Sequence, residues 1–185
     1  MNRKVSKIRL LSFFLILCVL CISTSIVFSA FPSTENTPAG YTGSPADDKD
    51  CSACHKAKPK TVAGIINSNT IQNTYVAEET YTITLKLKGT EKSEIFGFQV
   101  SPQSDKGKLQ GKMIVTDKEQ TRLMSPKYLN QTEKGTKGKD GEKIWKFDWV
   151  APSKGTGNVC FYGSFLVGGK QEIVYNSTLI LKEKI

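Results

Sequence analysis

Apolar and polar side chains alternate in the stretch Tyr81-Thr82-Ile83-Thr84-Leu85-Lys86-Leu87. A period of two places every second side chain on the same face, as in a β-strand with one buried face. The same alternation returns in Trp145-Lys146-Phe147-Asp148-Trp149 and in residues 159–167 and 175–181. No segment carries an apolar stripe with helical spacing over more than three turns. The sequence therefore predicts a protein built from β-strands.

Further short strands are predicted where apolar runs are bounded by Gly, Pro and Lys-rich turns. They cover residues 95–101, 112–116, 122–124 and 128–132. About seven to nine such strands are typical of an antiparallel sandwich of two sheets. We predict this all-β fold, with Trp145, Phe147 and Trp149 in its core. The lysine-rich stretches 105–112 and 133–143 are predicted to be solvated hairpin loops.

The charge distribution separates the amino terminus from the rest of the chain. The chain has 185 residues with 26 basic and 17 acidic side chains, but its first 30 residues contain four basic and no acidic ones. The uncharged run that follows Arg9 is typical of an export signal. We predict residues 1–30 to be a signal peptide or an uncleaved membrane anchor, and expect a periplasmic or cell-surface protein. Contact with a membrane is expected only through this segment.

Without the first 30 residues, 22 basic and 17 acidic side chains leave a net charge of +5. This mild lysine excess argues against nucleic acid as a partner, since a nucleic-acid groove needs dense basic and aromatic side chains.

Residues 31–61 form a lead-in segment before the predicted sandwich, which covers residues 62–185. The first part of the lead-in is rich in Pro, Gly, Ser and Thr and has no apolar period, so we predict an extended, unpacked segment. This polar first part ends at Cys51-Ser52-Ala53-Cys54-His55. The motif has the C-x-x-C-H pattern through which c-type haem is attached. We predict one covalent haem c with Cys51 and Cys54 as thioether anchors and His55 as the proximal iron ligand.

Other uses of the cysteines stay open at this point. Cys51 and Cys54 can form a disulfide in an oxidising compartment, or one of them can join the lead-in to the sandwich through Cys160. A zinc site would use Cys51, Cys54, His55 and Cys160, although the sequence lacks the second paired knuckle of a structural zinc site. Without such a role, Cys160 is predicted to be a small buried hydrophobe.

The sixth iron ligand is less clearly marked. His55 is the only histidine, so the chain has no second imidazole for the iron. Met113 and Met124 are candidate thioether ligands, which would raise the reduction potential, and both also suit a core position. An open sixth position would allow a small ligand to bind.

Several stretches carry a resemblance to a known family. Gly40-Tyr41-Thr42-Gly43-Ser44-Pro45-Ala46 precedes Asp50 and the C-x-x-C-H motif, and residues 81–85, 96–100, 145–152 and 155–162 follow in order. Together they resemble bacterial reeler-like domains, also called choice-of-anchor modules. The resemblance implies an immunoglobulin-like β-sandwich that is exported to the periplasm or cell surface, often tethered by one terminus.

One departure from the reeler-like pattern concerns the iron. These domains often carry a histidine in the strand equivalent to residues 128–132, where this chain has Asn130 and Gln131. Gln131 is a weak or non-coordinating substitute for that histidine. The resemblance therefore favours a five-coordinate iron, and it brings no settled enzymatic activity.

Two functions remain open from the sequence. The first is an exported monohaem c-type cytochrome domain that transfers an electron to a redox partner protein or senses a small ligand. The second is an extracellular adhesion or interaction module with a structural Cys51–Cys54 disulfide and no haem. A hydrolase is discarded, because its triad would consume His55. An enzyme that uses the haem iron for peroxide or nitrogen-oxide chemistry is a weaker third alternative, because Arg122 is the only arginine beyond the signal and nothing in the sequence places it near the iron.

Overall fold

The computed structural model describes residues 37–184, which form strands joined by loops and short 3₁₀ turns. The strands are β1 (Lys60–Thr61), β2 (Ile66–Ser68), β3 (Thr74–Tyr75), β4 (Thr80–Lys88), β5 (Ile95–Gln103), β6 (Lys112–Ile114), β7 (Thr121–Ser125), β8 (Tyr128–Gln131), β9 (Glu142–Val150), β10 (Val159–Gly168) and β11 (Ile173–Glu183). The all-β prediction is confirmed. The predicted signal segment and residues 31–36 of the lead-in lie outside the described residues.

The strands form two sheets. The larger sheet has the order β1-β11-β10-β5-β8-β7, with β3 also paired to β11, and the smaller has the order β2-β4-β9-β6. The long pairs β10–β11, β10–β5 and β4–β9 are antiparallel. Within the described chain, the two-residue strands β1 and β3 run parallel to β11. The predicted antiparallel β-sandwich is confirmed, with these two short additions at its margin.

The core lies between the two sheets and is rich in aromatic side chains. Trp145, Phe147 and Trp149 of β9 are buried, as are Phe161 and Phe165 of β10 in the facing sheet. The ring centroids of Trp149 and Phe161 are 5.1 Å apart in an edge-on arrangement. Such contacts stabilise the core beyond the burial of apolar area alone. The predicted core role of the three β9 aromatics is confirmed.

Each lysine-rich stretch contains a tight turn closed by an antiparallel bridge, Gln103–Leu109 in the first and Lys139–Glu142 in the second, but neither stretch joins two neighbouring strands of one sheet as the predicted hairpin loops would. The first connects β5 in the larger sheet to β6 in the smaller sheet. The second connects β8 in the larger sheet to β9 in the smaller one. Both therefore pass from one sheet to the other. Their charge and glycines indicate a loop, but local composition carries no information about which sheet the chain enters next.

The lead-in segment packs on the outer face of the larger sheet, which corrects the prediction of an unpacked segment. Asn130 of β8 donates to the carbonyl oxygen of Thr37 at 3.3 Å. Gln99 of β5 accepts from the backbone N–H of Tyr41 at 2.6 Å and donates to the carbonyl oxygen of Pro38 at 2.8 Å. The alternation that buries apolar side chains in the core leaves these polar side chains facing outward, where they bind the lead-in backbone.

Further along, the lead-in reaches the next two strands of the same sheet. Ser164 of β10 accepts from the backbone N–H of Cys51 at 3.0 Å. Asn176 of β11 donates to the Asp50 carboxylate at 2.6 Å. The lead-in then ends as β1, which pairs with Tyr175 and Asn176. It thus crosses β8, β5, β10 and β11 in their spatial order and places the C-x-x-C-H motif over β10 and β11.

Candidate functional site

The C-x-x-C-H motif begins in a 3₁₀ turn, Cys51–Ala53, which Asp50 caps. One Asp50 oxygen accepts from the Ser52 backbone N–H at 2.8 Å and from the Ser52 hydroxyl at 2.5 Å. Burial alone would raise the pKa of Asp50, but the hydrogen bonds from Ser52 and Asn176 outweigh it and hold the pKa below the usual value. A charged cap therefore fixes the turn to β11.

The imidazole of His55 contacts a carboxylate that the sequence did not single out. His55 Nδ1 lies 2.9 Å from Oε1 of Glu172, in the connection between β10 and β11. Because a carboxylate oxygen accepts hydrogen bonds, Nδ1 is the donor in this contact, and Nε2 is the imidazole nitrogen that the contact leaves for a ligand. Metal-ligating histidines commonly have this arrangement. The residues are 117 positions apart, and no motif around Glu172 signals the contact.

The two motif cysteines differ in their surroundings. Cys51, Cys54 and Cys160 are free thiols in the described part of the chain, and Cys54 is exposed. Cys51 is half-buried, and its thiol lies against Ser164 on the sheet, where burial raises its pKa to about 11, with a smaller contribution from the Asp50 charge. Cys54 is therefore open to reaction in this conformation, whereas Cys51 is held as an unreactive thiol.

Cys160 does not come near the motif. Asp50 and Cys51 contact Asn176 and Ser164, which pair with each other across the strands. Cys160 lies four residues further along β10, which is about 13 Å at the usual rise of a strand. A disulfide needs Cα atoms within about 7 Å, so neither the predicted clip nor a zinc site with Cys160 has support from this geometry.

Cys160 also differs from its predicted burial in the core. Its neighbours Val159 and Phe161 face the core, so Cys160 faces outward, where it is partly exposed. Within residues 37–184, no group of three His, Cys, Asp or Glu side chains has the arrangement of a metal site.

The candidate sixth ligands are not brought together with His55. Met113 is 2% exposed and lies in the core, on the smaller sheet. Met124 is 37% exposed on β7, at the far edge of the larger sheet. Gln131 on β8 is buried, and its Oε1 accepts from the backbone N–H of Phe98 at 2.7 Å. The identity of a sixth ligand stays a prediction.

The donor set of a haem c is present, but the surface next to it is polar. A shallow pocket of about 390 Å³ lies beside the turn, and Asp48, Lys49, Asp50 and Asn176 are among its lining residues. The two thiols and the oriented imidazole fit covalent haem attachment. Because this pocket is polar, it offers no apolar surface on which a porphyrin could pack. A haem attached to the motif would therefore lie at the protein surface rather than inside the sandwich.

The comparisons with known proteins concern the sandwich. The human F-spondin reeler domain is 19% identical and has a TM-score of 0.54, over 71% of this chain and 97% of that domain. The Reelin-N domain of F-spondin is 21% identical with a TM-score of 0.53, over 69% and 93% of the two chains. At this identity the likeness establishes the fold. No curated protein sequence matches the chain.

At these identities the two likenesses concern the fold and do not distinguish between the two predicted functions. Within the described residues, no helix is long and apolar enough to span a membrane. The sequence model of the Reeler domain matches residues 49–171, a range that includes the C-x-x-C-H motif. With this match over most of its 185 residues, the chain belongs to the Reeler domain family.

Proposed function

We propose that the protein is an exported Reeler module that carries one haem c, attached through Cys51 and Cys54 with His55 as the proximal ligand. The contact between His55 and Glu172 is the observation that supports this proposal most directly. It leaves Nε2 of His55 free, next to two thiols without a disulfide partner in the described residues. When bound, haem iron supplies one-electron transfer or reversible binding of a small ligand.

The residues around the motif would orient the attachment site. Asp50 and Ser164 hold the turn on the sheet, and Glu172 holds the imidazole through Nδ1. The thiol of Cys51 packs against the sheet beside Ser164, so a haem bonded to its sulfur would require this side chain to leave the sheet. We therefore expect the turn to dock differently in the protein with haem.

The open surroundings of the site favour ligand binding over simple electron relay. Met113 and Met124 lie in the core and on a distant edge strand, and Gln131 already accepts a backbone hydrogen bond. Because none of these three side chains is held beside His55, a haem bound here would leave room for a small ligand.

The test is an absorption spectrum of the full chain expressed with a haem-maturation system, followed by a pyridine haemochrome assay on denatured material. We expect one covalent haem per chain, and none in the Cys51→Ala, Cys54→Ala double variant. Cys160→Ala is the matched control, because it removes a free thiol on the same sheet away from the motif; it should retain the haem. A folded, colourless wild-type protein would refute the proposal.

The second candidate function is an extracellular interaction module without haem, in which Cys51 and Cys54 form a disulfide. Membership of the Reeler family favours it. It predicts a colourless protein in which two thiols become reactive only after reduction, while Cys160 reacts before and after. Thiol counting by mass spectrometry with and without reductant distinguishes it from the haem protein.

A further inference from the structure

We infer that Glu172 is a positioning residue for the iron ligand: it holds the imidazole of His55 through Nδ1, so that Nε2 is the nitrogen left for iron and is a stronger donor to it. The inference rests on the proposed attachment of haem to this motif. Its basis is the 2.9 Å contact between His55 Nδ1 and Glu172 Oε1, with side chains that are 27% and 39% exposed. Neither side chain is buried enough for this contact to be a requirement of core packing.

Both partners are anchored on the same two strands. Glu172 directly precedes β11, and β10 and β11 pair in register from Val159 opposite Leu181 to Val167 opposite Ile173. The motif is tied to Ser164 of β10 on one side and, through β1, to β11 on the other. His55 and Glu172 therefore lie in two loops whose ends are held by the paired strands β10 and β11.

Glu172 has no competing cation among the described residues. Lys56, Lys58 and Lys170 are close to it or to His55 in sequence and exposed, yet the ion pair of Glu172 is with His55. If Glu172 served only the solubility of the surface, it could pair with any of these lysines. Its alignment with the imidazole nitrogen is what a positioning role requires.

The charge of Glu172 has a measurable consequence for a bound haem. A carboxylate that accepts from Nδ1–H increases the basicity of the imidazole as a ligand. A more basic ligand stabilises ferric over ferrous iron, which lowers the reduction potential. Removal of the charge should therefore make the potential more positive. A surface ion pair without this role would leave the potential unchanged and would contribute little to stability.

The experiment compares Glu172→Gln and Glu172→Ala with the wild-type holoprotein in a redox titration followed by absorption. Glu119→Gln is the matched control, because Glu119 is exposed and pairs with Lys134 at the same 2.9 Å on another loop. We expect a positive shift of the midpoint potential in both Glu172 variants, none in the control, and the same melting temperature in all. The haemochrome assay on each variant confirms that haem is attached.

The outcomes separate this inference from the proposed function. Haem-loaded Glu172 variants with the wild-type potential would overturn it, as would an equal shift in the Glu119 control, which would indicate a general effect of surface charge. A wild-type protein without covalent haem would overturn the proposed function and this inference with it.

Discussion

Gln99 is the strongest single attachment of the lead-in to the sandwich. Its side chain is fully buried, and it makes three hydrogen bonds: from the Tyr41 N–H at 2.6 Å, to the Pro38 carbonyl at 2.8 Å and to Asn130 at 3.1 Å. The change Gln99→Leu keeps a side chain of similar size and removes all three. Two of these bonds, those with Tyr41 and Pro38, join the lead-in to the sheet. At about 1 kcal/mol net for each, the free energy that holds the lead-in on the sheet should fall by about 2 kcal/mol.

This loss should be local, because the bonds join the lead-in to a sheet whose own pairing is unchanged. Hydrogen exchange at the Tyr41 amide should accelerate roughly thirtyfold, the factor that corresponds to about 2 kcal/mol. Proteolysis of residues 37–50 should accelerate with it. Thr178→Val is the control: this exposed residue lies on the same sheet and makes no contact of this kind with the lead-in in the described structure.

Two results would refute the reasoning about Gln99. The first is a Tyr41 amide that exchanges as slowly in Gln99→Leu as in the wild type. The second is an equal loss of protection in the core strand β9, which would mean that Gln99 supports the whole sandwich rather than the lead-in.

Three further changes test other parts of the structure. Burial would raise the pKa of Asp47, but hydrogen bonds from two hydroxyl groups and the charge of Lys127 outweigh burial and lower the pKa. Asp47 therefore stabilises the fold above its ordinary pKa of 3.8, and this stability is lost as the pH falls through the lower pKa of the folded state. Urea unfolding of Asp47→Asn should lack this acid-dependent loss. Gly163→Ala would place a Cβ 2.7 Å from a buried aromatic ring and should destabilise the protein by about 1–3 kcal/mol in urea, and wild-type stability would count against this close packing. In protein without haem at pH 8, Cys54 should react with iodoacetamide roughly tenfold faster than Cys51, whose pKa of about 11 leaves little thiolate, and equal labelling by mass spectrometry would contradict the docked turn.

The sandwich could be predicted because the alternation of apolar and polar residues that defines each long strand lies within a short stretch of sequence. The alternation in residues 81–87 and 145–149 sets which side chains are buried, and the buried faces define two sheets. The short strands β1, β2 and β3 were missed because two or three residues carry no period. They exist as strands because β4 and β11 offer edges to pair with.

The site was predictable only in part. The C-x-x-C-H motif is contiguous, so its residues are found from the sequence alone. Its supports are Ser164, Glu172 and Asn176, which lie 113 to 126 residues from their partners and carry no local signal. The composition of the lead-in likewise indicates a polar segment without an apolar period. It does not show that Gln99 and Asn130 on the sheet form hydrogen bonds with the lead-in backbone.

The route of the lead-in has a consequence for the order of folding. Its side-chain attachments join residues 58 to 126 positions apart, so they cannot form until β5, β8, β10 and β11 have assembled. The lead-in is thus synthesised before the strands of the sandwich but packs on them only after they have assembled. During that interval both thiols of the motif are accessible, and docking then closes access to Cys51. The rate at which the lead-in docks therefore limits the time during which Cys51 can react.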